Sequence, residues 1–122
     1  MNRILNKVGE YDYDYKNDIF LFKVKNREYS HSIELQNFVI DFDEESFIVG
    51  LQIFNASTIF NIPKSKLKQI KNFKLQSKIN NGTIQMNLMF NMQIRNQLVQ
   101  YQPIIFEKIG EDTPNSEIIC TA

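Results

Sequence analysis

The feature that most constrains the fold is an almost unbroken two-residue alternation over residues 83–94. Successive side chains of a β-strand point to opposite faces of the sheet, so this alternation predicts a strand with one buried face. The buried face consists of Ile84, Met86, Leu88, Phe90, Met92 and Ile94. The opposite face carries no charge and consists of Thr83, Gln85, Asn87, Met89, Asn91 and Gln93.

The dipeptide Asn81-Gly82 immediately precedes this strand. Both residues can adopt the positive φ of a type I′ turn, so the dipeptide predicts a tight β-hairpin. A turn fixed there pairs the strand with residues 73–80 and sets Leu75 opposite Leu88. The second half of the chain is therefore predicted to contain a long hairpin with an apolar inner face.

A third strand is predicted to follow a turn near Arg95. It runs through residues 98–106 and completes a three-stranded meander. Pro103 cannot donate a backbone hydrogen bond, which predicts an edge strand or a bulge at that position. The outer face of this meander is rich in amides and free of carboxylates.

The first half of the chain is predicted to be a β-meander of about five short strands. Turns are expected at Asn17-Asp18, at Asn26-Arg27 and over residues 43–46. This register sets Tyr15 opposite Phe20, Phe42 opposite Phe47, and His31 on the inner face opposite Phe22.

A helical segment is predicted over about residues 55–71. Asn55 can cap a short helix over 56–61, and Pro63 suits the first turn of a second helix over about 63–71. Apolar residues of the segment face the sheet, and its lysines face outward.

Together these elements predict an α+β fold, with mainly antiparallel β-meander sheets and the helical segment packed across them. The chain has 122 residues, of which 43% are hydrophobic, enough for one compact core. We expect a single domain over residues 1–110, followed by an acidic C-terminal tail over 111–122 that could dock on a neighbour.

Charge is divided along the chain although the net charge is zero. Residues 1–45 contain ten acidic and six basic groups, residues 46–106 contain seven basic groups and no acid, and residues 107–122 contain four acids and one lysine. Two interpretations stay open: the charge blocks meet within the fold or between subunits, or the basic stretch meets an anionic partner.

The single cysteine, Cys120, excludes an internal disulfide framework and favours a reducing, cytoplasmic location. No segment has the roughly 18 consecutive apolar residues of a membrane span, so no membrane association is expected.

Three stretches of the first half resemble a family of small proteins grouped as domain of unknown function two-two-eight-three. They lie within residues 13–57 and are Tyr13-Asp14-Tyr15 with Asn17-Asp18-Ile19-Phe20, then residues 39–43, then residues 49–57. The resemblance implies a small β-meander followed by a helix and supplies no catalytic residue. Residues 72–122 lie outside it, and in having them the chain resembles the longer archaeal relatives. Because some relatives are encoded beside genes assigned as toxins, the resemblance adds an antitoxin role to the hypotheses.

Few residues suggest catalysis. His31 is predicted to be an inner-face imidazole, Cys120 has no cation beside it, and the acidic residues 41–45 form a solvated hairpin end without a glycine to fold them around a metal ion. The pair Asp12 and Asp14 lies on the wet face of a strand. We therefore expect no enzymatic activity, no metal, no cofactor and no small-molecule substrate.

The sequence thus favours a binding protein that docks on an anionic macromolecule, either structured RNA or a ribosomal surface. Its cationic contacts would be Lys64, Lys66, Lys68, Lys71, Lys74, Lys78 and Arg95. Its sheet-face contacts would be Gln85, Asn87, Met89, Asn91 and Gln93. The alternative is a protein interaction module, whose partner is a second copy of itself or a cognate toxin. A homodimer is expected under both hypotheses.

Overall fold

A computed structural model describes residues 3–122 of the chain. Within these residues the fold is mainly β, with ten strands in a mixed sheet and two short helices, and is not strictly the predicted α+β meander. The elements in chain order are β1 (Ile4–Asp14), β2 (Ile19–Val24), β3 (His31–Glu34), β4 (Phe38–Phe42), β5 (Ile48–Phe54), α1 (Ala56–Phe60), α2 (Lys64–Leu67), β6 (Lys71–Asn80), β7 (Thr83–Ile94), β8 (Gln97–Tyr101), β9 (Ile104–Lys108) and β10 (Ser116–Thr121).

The strands form one mixed sheet in the order β3-β4-β5-β2-β1-β10-β6-β7-β8, and β9 also pairs with β7. The long strand β1 belongs to two parts of this sheet. Its first part pairs in parallel with β10, and its second part pairs with β2 in antiparallel fashion. We call β3, β4, β5, β2 and residues 9–14 the N-terminal half-sheet. The C-terminal half-sheet consists of residues 4–8, β10, β6, β7, β8 and β9.

Aromatic side chains fill the space between the two half-sheets. The ring of Phe73 on β6 lies 5.3 Å from Tyr11, 5.1 Å from Phe20 and 5.4 Å from Phe22, centroid to centroid. The Tyr11 hydroxyl donates a hydrogen bond of 3.0 Å to the backbone oxygen of Ile70. These contacts pack the inner faces of the half-sheets against each other and bury the largest side chains.

The hairpin of β6 and β7 confirms the prediction made from Asn81-Gly82. Both turn residues have positive φ, 50° and 76°, and Leu75 pairs with Leu88. The register shifts only between Lys71 and Lys74. The even-numbered residues of β7 up to Met92 are buried as expected.

The strand after β7 is interrupted at the predicted position. β8 pairs with residues 90–94 of β7, while β9 pairs with residues 83–87. Between them, the backbone oxygen of Pro103 accepts a hydrogen bond from the backbone of Leu88 at 3.0 Å. Pro103 thus marks an irregularity on the edge of the sheet, as its missing donor predicts.

The turn between β1 and β2 is two residues longer than predicted. Tyr13, not Tyr15, pairs with Phe20. The carboxylate of Asp14 accepts hydrogen bonds from the backbone (3.1 Å) and side chain (2.8 Å) of Asn17, which closes a four-residue turn. The observed pairing differs from the predicted one by two residues, an even number, so Tyr13 still faces inward, whereas Tyr15 lies exposed in the turn.

The prediction that β2 and β3 form a hairpin is wrong. β2 pairs with β1 and β5, and β3 pairs only with β4 at the edge of the sheet. His31 pairs with Phe42 and not with Phe22; it keeps the predicted inner-face parity but is exposed, because β3 lies at the edge of the sheet. Its ring stacks on that of Phe42 with centroids 5.3 Å apart.

The hairpin of β4 and β5 is present with a shifted register. Phe42 pairs with Ile48 and not with Phe47. The connecting loop is organised by Asp43, whose carboxylate accepts hydrogen bonds of 2.9 Å from the backbone amides of Glu45 and Phe47. Arg27 pairs with the same carboxylate, so Asp43 is buried and not part of a solvated hairpin end.

The helical segment is shorter than predicted and is capped differently. Asn55 has a φ of 53° and makes no side-chain cap. Instead, the carboxylate of Asp18 accepts hydrogen bonds from the backbone (3.0 Å) and hydroxyl (2.6 Å) of Ser57. The second helix ends at Leu67, because residues from Lys71 onward pair as β6.

The last residues form a central strand and not a tail. β10 lies between β1 and β6, and Ile118 and Cys120 are buried. Burial raises the pKa of the Cys120 thiol to about 11. Ile118 and Cys120 therefore complete the core, Ile119 faces outward on the same strand, and β1 pairs with this strand in parallel. None of the helices within residues 3–122 is long and apolar enough to cross a bilayer.

Candidate interaction surface

The outer face of the C-terminal half-sheet is a continuous surface across five strands. Two neighbouring cross-strand rows form its centre. The first row contains Ile4, Glu117, Lys78, Gln85 and Phe106, and the second contains Asn6, Ile119, Gln76, Asn87 and Ile104. Strand pairing thus assembles this face from both ends of the chain and its middle.

Amide side chains link neighbouring positions of this face. Gln85 donates a hydrogen bond of 3.2 Å from Nε2 to Oδ1 of Asn87 on the same strand. Gln76 donates from Nε2 to Oε1 of Glu117 on the adjacent strand, at 3.1 Å. Among the outward-facing strand residues of this half-sheet within residues 3–122, Glu117 is the one carboxylate, and it already accepts this hydrogen bond.

Four lysines of the strands share this face: Lys71, Lys74, Lys78 and Lys108. All four are exposed. Every ion pair within 4.0 Å in the described part of the chain involves Arg27, so none of these ammonium groups has a carboxylate partner. The face therefore has a net positive charge that is open to solvent.

The structure separates the predicted cationic residues into two groups. Lys71, Lys74 and Lys78 lie among the amides of the sheet face, beside the five predicted contacts of β7 (Gln85, Asn87, Met89, Asn91 and Gln93). Arg95 lies in the turn after β7 with a φ of 49°.

The helical lysines belong to another part of the molecule. Lys64 and Lys68 place their ammonium groups 4.8 Å and 4.5 Å from the centre of the Tyr15 ring, in the turn after β1. This cation–π contact orders two of the predicted residues against the N-terminal half-sheet. Lys66 is half-buried on α2.

Sequence reasoning missed the apolar border of the face. Large hydrophobic side chains that are more than half exposed lie along its two sides: Ile4, Val8, Leu98, Ile104 and Phe106. The apolar run Ile104-Ile105-Phe106 was a usable signal, because alternation along a strand places at least one of these side chains on the outer face. The position of β1 beside β10 could not be predicted, because it depends on pairing between the two ends of the chain.

Side chains that the sequence raised as catalytic candidates lie apart from one another. His31 is exposed on the edge strand β3, while Cys120 is buried in β10. Within residues 3–122, no group of three or more His, Cys, Asp or Glu side chains is placed to hold a metal ion.

Comparison with known proteins identifies the N-terminal half-sheet as a family module. The model of the family described as "Protein of unknown function (DUF2283)" matches residues 10–57, which run from the second part of β1 into α1. No solved structure matches the chain.

Two archaeal proteins are similar over most of the chain. A protein of Methanosarcina mazei named "Putative hypoxanthine phosphoribosyltransferase" is 34% identical over 92 residues, which cover 75% of each chain. An uncharacterised protein of Methanocaldococcus jannaschii is 37% identical over 78 residues, covering 63% of this chain and 67% of its own.

The Methanosarcina relative corrects one expectation from the sequence. We expected no enzymatic activity, but a protein that is 34% identical over three-quarters of this chain carries the name of an enzyme. The extent of this similarity, together with the match to the N-terminal half-sheet, establishes the family. The chain belongs to the DUF2283 family of proteins of unknown function.

Proposed function

We propose that the chain binds structured RNA, such as that of a ribosomal surface, through the outer face of the C-terminal half-sheet. The observation that carries the proposal is the charge of this face. Lys71, Lys74, Lys78 and Lys108 face outward without carboxylate partners, and the single outward carboxylate accepts a hydrogen bond from Gln76. Exposed lysines of this kind neutralise phosphates and release counterions.

The amides support the same function. Gln and Asn side chains commonly hydrogen-bond phosphate and sugar oxygens, contacts that position a nucleic acid without reading its sequence. Phe106 is the only aromatic side chain on the outward face of these strands within the described residues. Recognition of RNA shape and backbone therefore fits this surface better than base stacking.

Salt dependence of RNA binding tests the proposal. Each phosphate contact contributes a slope of about −0.7 to −0.9 to the dependence of log affinity on log salt. The variant K71Q/K74Q/K78Q is expected to weaken binding to an RNA duplex of roughly 16 base pairs, which a compact domain can span, and to reduce the slope by about two to three.

The matched control is K16Q/K23Q/K25Q, which removes the same charge from exposed positions of the N-terminal half-sheet or its turns. It should retain the slope of the native protein. Equal losses in both variants, or an affinity that does not change between low and moderate salt, would reject the proposal.

A protein partner is a second candidate for the same face, and the exposed apolar border supports it. Contiguous apolar patches on a surface are typical of protein interfaces. We propose a second copy of this chain as the partner in that case. Light scattering at micromolar concentration should then give the mass of a dimer.

The double variant I104S/F106S should return that dimer to a monomer. Tyr29 provides the control Y29S. Like Ile104 and Phe106 it is a large exposed side chain, with 66% of its surface exposed, but it lies in the loop after β2 and not on this face. A native protein that scatters as a monomer, or a dimer that Y29S also dissociates, would contradict this candidate.

The name of the Methanosarcina relative adds phosphoribosyl transfer to hypoxanthine as a third candidate. Its support is the 34% identity over three-quarters of both chains. Purified protein supplied with hypoxanthine and a phosphoribosyl diphosphate donor should then form the nucleotide. Failure to form product above the uncatalysed rate would remove this candidate and leave the binding proposals to be judged by their own tests.

A further inference from the structure

The outer faces of the two half-sheets lie on opposite sides of the molecule. Their inner faces pack against each other through Phe73, Tyr11 and Phe20, so the outward side chains of each half-sheet point away from those of the other. We call the outer face of the C-terminal half-sheet the lysine face. The outer face of the N-terminal half-sheet, on β1 from residue 10 onward, β2, β5, β4 and β3, is the acidic face.

Two neighbouring cross-strand rows form the centre of the acidic face. The first row contains Asp12, Leu21, Gln52, Val39 and Glu34, and the second contains Glu10, Lys23, Gly50, Asp41 and Ser32. The rows thus hold four carboxylates and one ammonium group. The lysine face has the opposite composition, with four lysines and one outward carboxylate.

The charges of both faces lack partners on their own chain. Glu10, Asp12 and Glu34 are exposed, as are the four lysines of the lysine face. Every ion pair within 4.0 Å among residues 3–122 involves Arg27, so none of these groups is paired. The net charge of the chain is nevertheless zero. The surface whose charge complements the lysine face is therefore the acidic face of another copy.

Apolar side chains accompany the charges on both faces. Ile104 and Phe106 on the lysine face are 56% and 62% exposed. On the acidic face, Leu21 and Val39 are half-buried between the carboxylates of the first row. An open groove of about 700 Å³ crosses this face, and Leu21 lines it. Apolar contacts surrounded by charged groups are the usual composition of a protein interface.

The positions of the two faces determine the symmetry of a contact between them. A copy that docks by its acidic face leaves its own lysine face free, because that face points in the opposite direction. Such a contact is heterologous and repeats into a ring or an open chain. A symmetric dimer through the lysine face alone would instead place lysines opposite lysines, which is unfavourable.

We propose that the acidic face of one copy docks on the lysine face of a second copy. The inference rests on the second copy proposed above as a partner and names the surface that this partner presents. A dimer is the first step of the association, and larger species form as the concentration rises. RNA bound to the lysine face would exclude the second copy, but the contact itself does not require RNA.

Sedimentation of two charge-reversed variants without RNA tests the proposal. D12K/E34K makes the acidic face basic, and K74E/K78E makes the lysine face acidic. Each variant should self-associate at least about tenfold more weakly than the native protein, because like charges then face each other. An equimolar mixture should associate again, because the intact acidic face of K74E/K78E meets the intact lysine face of D12K/E34K.

The control is E44K/D112K, which makes the same change in net charge at exposed positions in the loops after β4 and β9. It should associate like the native protein, and urea unfolding establishes that each variant is folded. D12K/E34K that associates like the native protein, or a mixture as monomeric as its components, would overturn this inference alone. A native protein that stays monomeric at millimolar concentration would overturn the second copy as a partner as well. Neither result bears on RNA binding, which has its own test.

Discussion

Asp18 joins two stretches of chain that lie 39 residues apart. Its carboxylate accepts hydrogen bonds from the backbone and hydroxyl of Ser57 and, at 2.5 Å, from the hydroxyl of Tyr13. Burial alone would raise the pKa of Asp18, but these hydrogen bonds outweigh it and lower the pKa below its ordinary value. Two of the family's sequence stretches are therefore connected by one structural carboxylate.

Replacing this carboxylate should have a pH-dependent effect. We expect D18N to lower the free energy of unfolding at pH 7 by about 0.5 to 2 kcal/mol, the usual cost of losing a helix cap. A depressed pKa stabilises the fold above the unfolded value of about 3.9, and this contribution is lost as pH falls through the folded pKa. Urea unfolding should therefore show a smaller difference between D18N and native protein at pH 3 than at pH 7. The same difference at both pH values would contradict the assignment.

Gly9 permits the close approach of three groups where β1 passes from one half-sheet to the other. A Cβ there would lie 2.7 Å from Sγ of Cys120 and 2.8 Å from both the Phe22 ring and the backbone oxygen of Lys23. We expect G9A to destabilise the protein by about 1 to 3 kcal/mol through overpacking. The measurement is the urea midpoint. The control is N6A at an exposed position of the same strand, and a G9A midpoint no lower than that of N6A would contradict the close packing.

At the scale of elements, β10 determines whether the sheet is continuous. It separates β1 from β6, and its inward residues Ile118 and Cys120 are almost fully buried. From the sequence we predicted that these residues form a tail. The segment after Gly110 is short and acidic, and it has no two-residue alternation of apolar and polar side chains that would predict a strand.

Two alanine variants distinguish a core strand from a tail. I118A should reduce the free energy of unfolding by about 2 to 4 kcal/mol, because it leaves a cavity between the half-sheets. I119A alters the same strand on its outer, half-buried face and should cost much less. Chemical denaturation of both variants gives the comparison. Similar small effects for the two would show that β10 does not complete the core.

The elements that could be predicted depend on local chemistry. Positive φ at Asn81 and Gly82 fixes the β6 and β7 hairpin, and the missing donor of Pro103 marks the break between β8 and β9. β3 could not be placed because β5 pairs with the side of β2 that β3 was expected to occupy, and β10 could not be placed because it pairs with β1 and β6, which are distant in the chain. The registers at Asp14 and Asp43 also failed, because side-chain hydrogen bonds to the backbone lengthen those turns.

At the scale of the whole molecule, the division of charge along the chain becomes a division between two faces. The outward carboxylates of the N-terminal half-sheet line a groove, and the lysines of β6 lie on the C-terminal half-sheet. The sequence predicted the lysines and amides of the candidate site because they follow one strand pair. It did not predict the apolar border, which comes from β1 at one side and from β8 and β9 at the other.

The most direct test of the proposed function is to observe where RNA binds. Titrating isotopically labelled protein with an RNA duplex, followed by amide NMR spectra, reports the contact surface residue by residue. If RNA binds the proposed face, shifts should concentrate in β6 and in residues 85–93 of β7 and diminish as salt is raised. Shifts confined to the N-terminal half-sheet, or none at all with RNA in excess, would contradict it.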